Sequence, residues 1–187
     1  PERIYEDKKV EVFSFPVKHS INCSGFLFRE KQREANIKKE SIAKYQPSIE
    51  QIQKIKKGAD LNTSTGETIP NRELTTPPPL PRSYAFCADT AFHPPLAEIL
   101  KGVDLLYHEA TFTEELREWA DKTYHSTAKD AANIARMAEV EKLIIGHFSS
   151  RYDDDEPFVN EARTIFPNTV AAVEGGKYSV SLKQPGH

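Results

Sequence analysis

The sequence is poor in cysteine and in long apolar runs, and both shortages exclude classes of protein. Two cysteines among 187 residues, Cys23 and Cys87, are too few for a disulfide framework or a cysteine-rich zinc module, which favours a reducing, cytoplasmic location. No apolar run approaches the ~20 residues of a membrane span, and no signal peptide opens the sequence, so we expect neither secretion nor a membrane partner. With 38% hydrophobic and 28% charged residues, the chain has the composition of one soluble globular domain.

Charge is unevenly distributed along the chain. Residues 29–57 contain nine Lys and Arg against four Asp and Glu, a net charge of +5, whereas the whole chain carries −3. A turn-rich stretch follows and ends in three consecutive prolines, so we interpret residues 29–82 as an inserted, partly helical, flexible arm with little regular structure. A basic arm suits the phosphate backbone of a nucleic acid, and Lys54, Lys56 and Lys57 are candidate contacts, although a charge run is more often a solvated face.

Outside this arm, short apolar runs alternate with helical patterns. The predicted strands are 10–19, 25–28, 84–87, 103–108, 142–147, 169–173 and 177–182. The predicted helices are 94–101, 113–122, 127–139 and 156–166. Strands that alternate with helices predict an α/β layered domain, formed by residues 1–28 and 83–187 and interrupted by the arm.

Four predicted strands end on polar side chains. His19, Asp89 and His147 each follow an apolar run, and His108-Glu109 closes a fourth. Catalytic residues of α/β proteins gather at strand ends, and imidazole and carboxylate groups are ligands that zinc prefers. A lone histidine is more often a structural residue, and Asp89 before Thr90 is also a plausible helix cap. Only the joint placement of these residues at strand ends favours a metal site.

Four sequence strings, in this order and at these intervals, carry a family resemblance. YAFCADT, LLYHEATF, YHSTAKDAANIA and IGHFSSRY resemble the second half of the ribonuclease Z family, the tRNA 3′-processing endonucleases of the metallo-β-lactamase superfamily. The resemblance runs from about residue 4 to about residue 182. It implies the C-terminal half of a metallo-β-lactamase αββα sandwich, in which residues 1–28 carry His19 and residues 29–82 form a tRNA-binding exosite.

The resemblance also implies a metal centre. It assigns two zinc ions to each active site of the complete enzyme, with His19 on the first ion, Asp89 bridging both and His147 on the second. The implied reaction is the removal of the 3′ trailer from precursor tRNA, in which water activated by the metals attacks a phosphodiester. A homodimer is implied as well.

Further roles at the scissile phosphate follow from the same resemblance. His125 and Glu109 are implied to assist the reaction there, and Arg151 and Ser149 to contact RNA phosphate. The residues alone favour a structural interpretation, in which His125 is a loop residue before a helix cap and Glu109 is a surface charge at a strand end.

The family's His-x-His-x-Asp-His motif, which supplies most of the zinc ligands, does not occur in this sequence. The first residue is Pro1 rather than Met. We therefore expect a piece of a longer protein, inactive by itself, because three ligands do not hold two zinc ions. The alternatives are a metallo-β-lactamase-fold phosphodiesterase for small substrates and a non-catalytic RNA-binding or dimerisation fragment.

Overall fold

A computed structural model describes residues 1–185, and the chain divides into two units. Unit 1 comprises Pro1–Glu30 and Arg82–Ser181, and unit 2 comprises Lys31–Pro81 and residues 182–185. Within the described part of the chain, no helix is both long enough and apolar enough to cross a lipid bilayer.

Unit 1 is built on a seven-stranded sheet whose strand order follows the chain order. Its strands are β1 (Glu2–Glu6), β2 (Val10–Pro16), β3 (Ser24–Glu30), β4 (Ser83–Cys87), β5 (Leu105–Glu109), β6 (Lys142–Gly146) and β7 (Thr169–Ala171). Its helices are α1 (Leu96–Ile99), α2 (Arg117–Thr123), α3 (Ala128–Met137) and α4 (Glu156–Arg163). Strands β1 to β4 pair antiparallel, and β4 to β7 pair parallel. The predicted α/β layered fold is confirmed.

The core of unit 1 lies between the sheet and its helices. Sheet residues such as Phe15, Leu27 and Ile145 are at most 1% exposed and belong to one cluster with Ile134 of α3 and Phe158 of α4. Burying such side chains stabilises the fold by ~1.5–3 kcal/mol each. This packing holds the strands rigidly and so fixes the positions of the residues that follow them.

Two segments of unit 1 differ from the sequence prediction. Strand β1 was not predicted, because all five of its residues are exposed and show no alternation. The turn after it is held by Asp7, whose carboxylate accepts hydrogen bonds from the backbone N–H groups of Lys9 and Val10, both 2.7 Å. The strand predicted at 177–182 is absent, and there the Tyr178 hydroxyl donates to the Ala171 carbonyl at 2.9 Å.

Unit 2 is more regular than the arm predicted from the sequence. It contains helices Lys39–Tyr45, Ile49–Lys56 and Asn71–Leu74, and the strand pairs Asn36–Ile37 with Thr75–Thr76 and Leu61–Asn62 with Thr68–Ile69. The prediction of little regular structure was wrong because apolar residues far apart in sequence bury one another. Ile55, Leu61, Ile69 and Leu74 form a core in which each is at most 4% exposed.

Candidate active site

The C-terminal ends of four strands meet at one edge of the sheet in unit 1. Strand β2 is antiparallel to β3, and β3 to β4, so β2 runs in the same direction as β4, β5 and β6. His19 follows β2, Asp89 follows β4, Glu109 ends β5 and His147 follows β6. The topology therefore brings together residues that are far apart in the sequence.

His125 comes from a different element and completes the cluster. It lies in the loop between α2 and α3, and its ring centroid is 5.1 Å from that of His19 and 5.2 Å from that of His147. Potential ligand atoms of His19, Asp89 and His125 all lie within 4.8 Å of one another, as do those of Glu109, His125 and His147. Nε2 of His147 is 3.4 Å from a carboxylate oxygen of Asp89.

Each of the three histidines is fixed through its Nδ1 atom. Nδ1 of His19 donates to the backbone carbonyl of Tyr124 at 2.9 Å, and Nδ1 of His125 donates to the Glu109 carboxylate at 2.9 Å. The Thr111 hydroxyl donates to Glu109 at 2.9 Å, so it accepts from Nδ1 of His147 at 2.8 Å. With the proton on Nδ1, Nε2 of His19 and Nε2 of His147 each present a lone pair, the tautomer that a metal ligand requires.

Glu109 is the centre of the hydrogen-bond network beneath these histidines. Its side chain is fully buried and, besides the bonds from His125 and the Thr111 hydroxyl, it accepts from the backbone N–H groups of Thr90, Thr111 and Ser126 at 2.9–3.0 Å. The three segments that it joins follow β4, end β5 and precede α3. The alternative interpretation of Glu109 as a surface charge is therefore wrong.

Glu109 and His125 shift each other's pKa in opposite directions. Burial raises the pKa of Glu109, but the hydrogen bonds from the His125 side chain and from the Thr90 backbone N–H outweigh burial, and the pKa lies below its ordinary value. The hydrogen bond with Glu109 raises the pKa of His125, although burial opposes it. Burial lowers the pKa of His108, whose Nδ1 donates to the Glu109 carbonyl at 2.7 Å, so this histidine is a neutral part of the core.

The backbone around the cluster adopts unusual conformations that aim these side chains. His147 has φ of +66° and Tyr124 has φ of +58°, in the left-handed region that non-glycine residues rarely occupy. Gly146 is required before His147, because a Cβ atom there would lie 2.7 Å from the Tyr107 hydroxyl. Such strain persists where the surrounding packing enforces it, and it is concentrated at functional sites.

The loop that carries His125 is anchored at both ends. Thr127 caps α3 in a reciprocal capping box with Asp130. The Arg117 guanidinium, at the start of α2, donates to both carboxylate oxygens of Asp130, at 2.5 and 2.9 Å, and to the Thr127 hydroxyl at 3.1 Å. This bidentate contact joins the helices on either side of His125 and restricts the movement of its loop.

The predicted substrate-binding residues lie in both units. Ser149 follows His147, and its backbone N–H donates to the Thr111 carbonyl at 3.0 Å. Arg151 is exposed and lies within 3.4 Å of the Ser149 hydroxyl. In unit 2, Lys54 pairs with Glu50 at 2.7 Å, Lys56 pairs with Glu34 at 3.2 Å, and exposed Lys57 caps the C-terminus of helix Ile49–Lys56. Their role in substrate binding stays a prediction.

Sequence reasoning missed Thr111 and the contact of the Tyr124 backbone with His19. Thr111 lies within the string LLYHEATF, two residues after Glu109, and this placement next to a strand end was a usable signal. Tyr124 acts through its backbone carbonyl, so its side chain gave no signal.

The residues present fit a zinc ion by the chemistry of their ligand atoms. His19 and His147 offer Nε2 lone pairs with the other ring nitrogen hydrogen-bonded, and Asp89 offers carboxylate oxygens between them. Such outer hydrogen bonds orient ligating histidines in zinc sites generally.

Replacing Thr111 with valine tests this outer shell. Thr111→Val keeps the side-chain shape but removes the hydroxyl that accepts from Nδ1 of His147, so we expect the zinc affinity to fall ~10–100-fold. Competition with a chelator, carried out on the full-length gene product that contains this chain, measures the affinity. Thr111→Ser is expected to retain the affinity. Thr113→Val is the matched control, because the buried Thr113 hydroxyl pairs with Tyr152 instead. An unchanged affinity in Thr111→Val would show that this hydroxyl does not orient a ligand.

The curated proteins that resemble the chain in sequence are named ribonuclease Z. No protein-family model matches the sequence. The chain is 50% identical over 177 residues to ribonuclease Z of Parabacteroides distasonis, covering 95% of the chain and 58% of that protein. It is 48% identical over 174 residues to ribonuclease Z of Bacteroides thetaiotaomicron, covering 93% of the chain and 55% of that protein. The chain thus spans little more than half the length of these relatives.

Solved structures with a similar fold are more distant in sequence. Human tRNase Z, short form, matches 96% of the chain and 46% of its own length, with a TM-score of 0.56 and 18% identity. The metallo-β-lactamase fold protein YhfI of Bacillus subtilis matches 89% of the chain and 48% of its own length, with a TM-score of 0.56 and 13% identity. These likenesses assign the metallo-β-lactamase fold.

Proposed function

Because the chain is a homologue of ribonuclease Z with a metallo-β-lactamase fold, we propose that it supplies part of the active site of a zinc-dependent endoribonuclease. The substrate is precursor tRNA, and the reaction removes its 3′ trailer. The observation that carries this proposal is a cluster of potential ligand atoms at one edge of the sheet. Those of His19, Asp89 and His125 lie within 4.8 Å of one another, and Nε2 of His147 is 3.4 Å from Asp89, while Nδ1 of His19 and of His147 is hydrogen-bonded. The predicted homodimer and cytoplasmic location stay predictions.

His19, Asp89 and His147 would hold zinc, with Asp89 able to bridge two ions. Bound zinc supplies a water that is nucleophilic at neutral pH and neutralises charge on the phosphoryl oxygens. The chain's own contribution is to fix the ligands before substrate arrives. The hydrogen bonds that Nδ1 of His19 donates to the Tyr124 carbonyl and Nδ1 of His147 donates to the Thr111 hydroxyl set the tautomer and the ring orientation of the two histidines.

His125 is placed to deliver a proton to the leaving ribose 3′-oxygen. Its Nδ1–H is directed to Glu109, so a proton on Nε2 is the one available to substrate. The Glu109 carboxylate favours this protonated form by raising the pKa of His125. Glu109 acts through His125 and is a positioning residue, because it is buried and does not reach substrate itself.

Arg151 and Ser149 are proposed to bind RNA phosphate. The Arg151 guanidinium is exposed and lies next to Ser149, which packs against the Thr111 backbone beside His147. A guanidinium binds phosphate with paired donors, which would orient the backbone on one side of the cut.

The experiment that tests the proposed function compares two substrates. The full-length gene product containing this chain is expected to cleave precursor tRNA at the 3′ end of the mature sequence and to leave a 3′ hydroxyl, mapped by sequencing the product. A chromogenic phosphodiester is expected to be a poorer substrate in kcat/KM, since it lacks remote contacts. Preference for the small substrate would favour the alternative phosphodiesterase, and no hydrolysis of either would favour a non-catalytic fragment.

The lysines of unit 2 give a prediction that separates binding from chemistry. Lys54→Gln/Lys56→Gln/Lys57→Gln removes three charges from one helix, and we expect kcat/KM for precursor tRNA to fall about tenfold or more at low salt. Hydrolysis of the small phosphodiester is expected to stay unchanged, because that substrate reaches only the zinc site.

The matched control removes three lysines from unit 1 instead. Lys8, Lys9 and Lys101 are exposed and lie before β2 and β5, at the opposite edge of the sheet from His19. Their replacement by glutamine is expected to have a smaller effect on precursor tRNA. If both triple variants lower kcat/KM for precursor tRNA equally, the unit 2 lysines act only through the net charge of the protein.

A further inference from the structure

The single tryptophan of the chain is exposed and lies near two cations. Trp119 is 48% exposed on α2, although a tryptophan normally buries most of its large apolar surface. The Arg151 guanidinium carbon lies 5.3 Å from the centre of its ring, and Nζ of Lys122 lies 5.9 Å from it. Both distances are within the range of cation–π contacts, which leave much of the indole surface open to solvent.

This aromatic group is connected to the candidate active site through a short series of contacts. Arg151 lies next to Ser149, and the Ser149 backbone is hydrogen-bonded to Thr111 at 3.0 Å. Thr111 in turn holds Nδ1 of His147 at 2.8 Å. A continuous series of contacts therefore connects Trp119 to His147 of the candidate active site.

The helix that carries Trp119 is fixed at both ends, so the indole has a defined position. Arg117 anchors the first turn of α2 to Asp130 and Thr127. At the other end, the Thr123 hydroxyl donates to the Trp119 carbonyl at 2.7 Å, and the next residue, Tyr124, holds His19 through its carbonyl. A rigid aromatic surface loses little conformational entropy when it binds a ligand.

An exposed indole with adjacent cations has the chemistry that binds single-stranded nucleic acid. The π-face stacks on a base of any sequence, and guanidinium and ammonium groups neutralise the phosphates on either side. Of the two cations, Arg151 also offers a planar group on which a base can stack. An oligopeptide or a small anion would use the cations but would leave the indole face without a partner.

We propose that Trp119, Arg151 and Lys122 bind one unpaired nucleotide of the RNA substrate next to the scissile phosphate, with its base stacked on the indole. The inference rests on the proposed function for the identity of the RNA and adds the site that holds the strand near the cut. Recognition at this site is independent of base sequence, because stacking requires only an aromatic face.

Fluorescence of the full-length gene product tests the stacking directly, with the Trp119 emission taken as the difference between the unmodified protein and Trp119→Phe. A short oligouridylate of about five nucleotides is expected to quench the emission on binding. An oligonucleotide of equal length and charge in which every nucleotide lacks its base is expected to bind about 5- to 150-fold more weakly, which is the range for loss of one stacked base. No quenching, or equal affinity for both oligonucleotides, would overturn the proposal.

Variants of the full-length gene product extend the test to cleavage. Trp119→Ala is expected to raise KM for precursor tRNA about 5- to 150-fold, and Trp119→Phe, which keeps an aromatic face, to raise it less. Tyr5→Ala is the matched control, since Tyr5 is 55% exposed on β1 and is expected to leave KM unchanged. Equal KM values in Trp119→Ala and the unmodified protein would overturn the proposal.

The two sets of results separate this inference from the proposed function. Quenching by the oligouridylate without any cleavage of precursor tRNA would support the nucleotide site and contradict the endonuclease. Cleavage of precursor tRNA without quenching or a KM effect would support the endonuclease and overturn the nucleotide site.

Discussion

Asp89→Ala is expected to abolish both zinc binding and RNA cleavage, whereas His125→Ala is expected to slow cleavage ~10²–10⁴-fold and to leave the zinc content unchanged. The difference follows from the proposed roles, because Asp89 lies against Nε2 of His147 as a ligand and His125 moves a proton. Metal analysis of the purified full-length variants, together with precursor tRNA cleavage rates, measures both effects.

This comparison also decides between two arrangements that the geometry allows. Ring nitrogens of His125 lie within 4.8 Å of potential ligand atoms of His19 and Asp89, and of His147, so His125 is close enough to be a ligand itself. Loss of zinc in His125→Ala would assign it to the metal and remove its role as proton donor. Asp153→Ala is the control for removal of an exposed carboxylate and is expected to change neither quantity.

Glu109→Ala is expected to lower the free energy of unfolding by ~3–5 kcal/mol, a large effect for one side chain. The carboxylate is completely buried and accepts five hydrogen bonds from three separate segments, so its removal leaves several buried donors without partners. Denaturant unfolding of the chain, followed by circular dichroism, measures the difference.

Two further variants control for this interpretation. Glu109→Gln keeps the shape but turns an amide N–H₂ towards some of the same donors, so we expect a smaller but clear loss of stability. Glu174→Ala removes an exposed carboxylate and is expected to change the free energy of unfolding by no more than ~0.5 kcal/mol. A Glu109→Ala protein as stable as the Glu174→Ala protein would show that the network beneath the histidines does not stabilise the fold.

Sequence reasoning located the residues of the site that follow strands. His19, Asp89 and His147 each follow a recognisable apolar run, and the rule that parallel strands present their C-terminal ends at one edge predicts that they converge. The structure brings them together in this way, with Asp89 and His147 3.4 Å apart. Their role as zinc ligands is still a prediction.

The environment of Glu109 was beyond sequence reasoning for a physical reason. A glutamate at the end of an apolar strand is ordinarily solvated, and only the donors around it make burial tolerable. Those donors come from Thr90, Thr111, His125 and Ser126, which span 36 residues of sequence between the first and the last. The regular structure of unit 2 was missed for a similar reason, because Ile55 and Leu74 come into contact only after the chain has folded back.

The central claim is that His19 and His147 bind metal through Nε2 while Nδ1 stays protonated and hydrogen-bonded. The most direct test is ¹⁵N NMR of the imidazole nitrogens in the full-length gene product with and without zinc. The account predicts that zinc shifts Nε2 of His19 and His147 to the range of metal-bound nitrogen, while Nδ1 of both rings keeps its proton. Ligation through Nδ1, or no response of these two histidines to zinc, would contradict it.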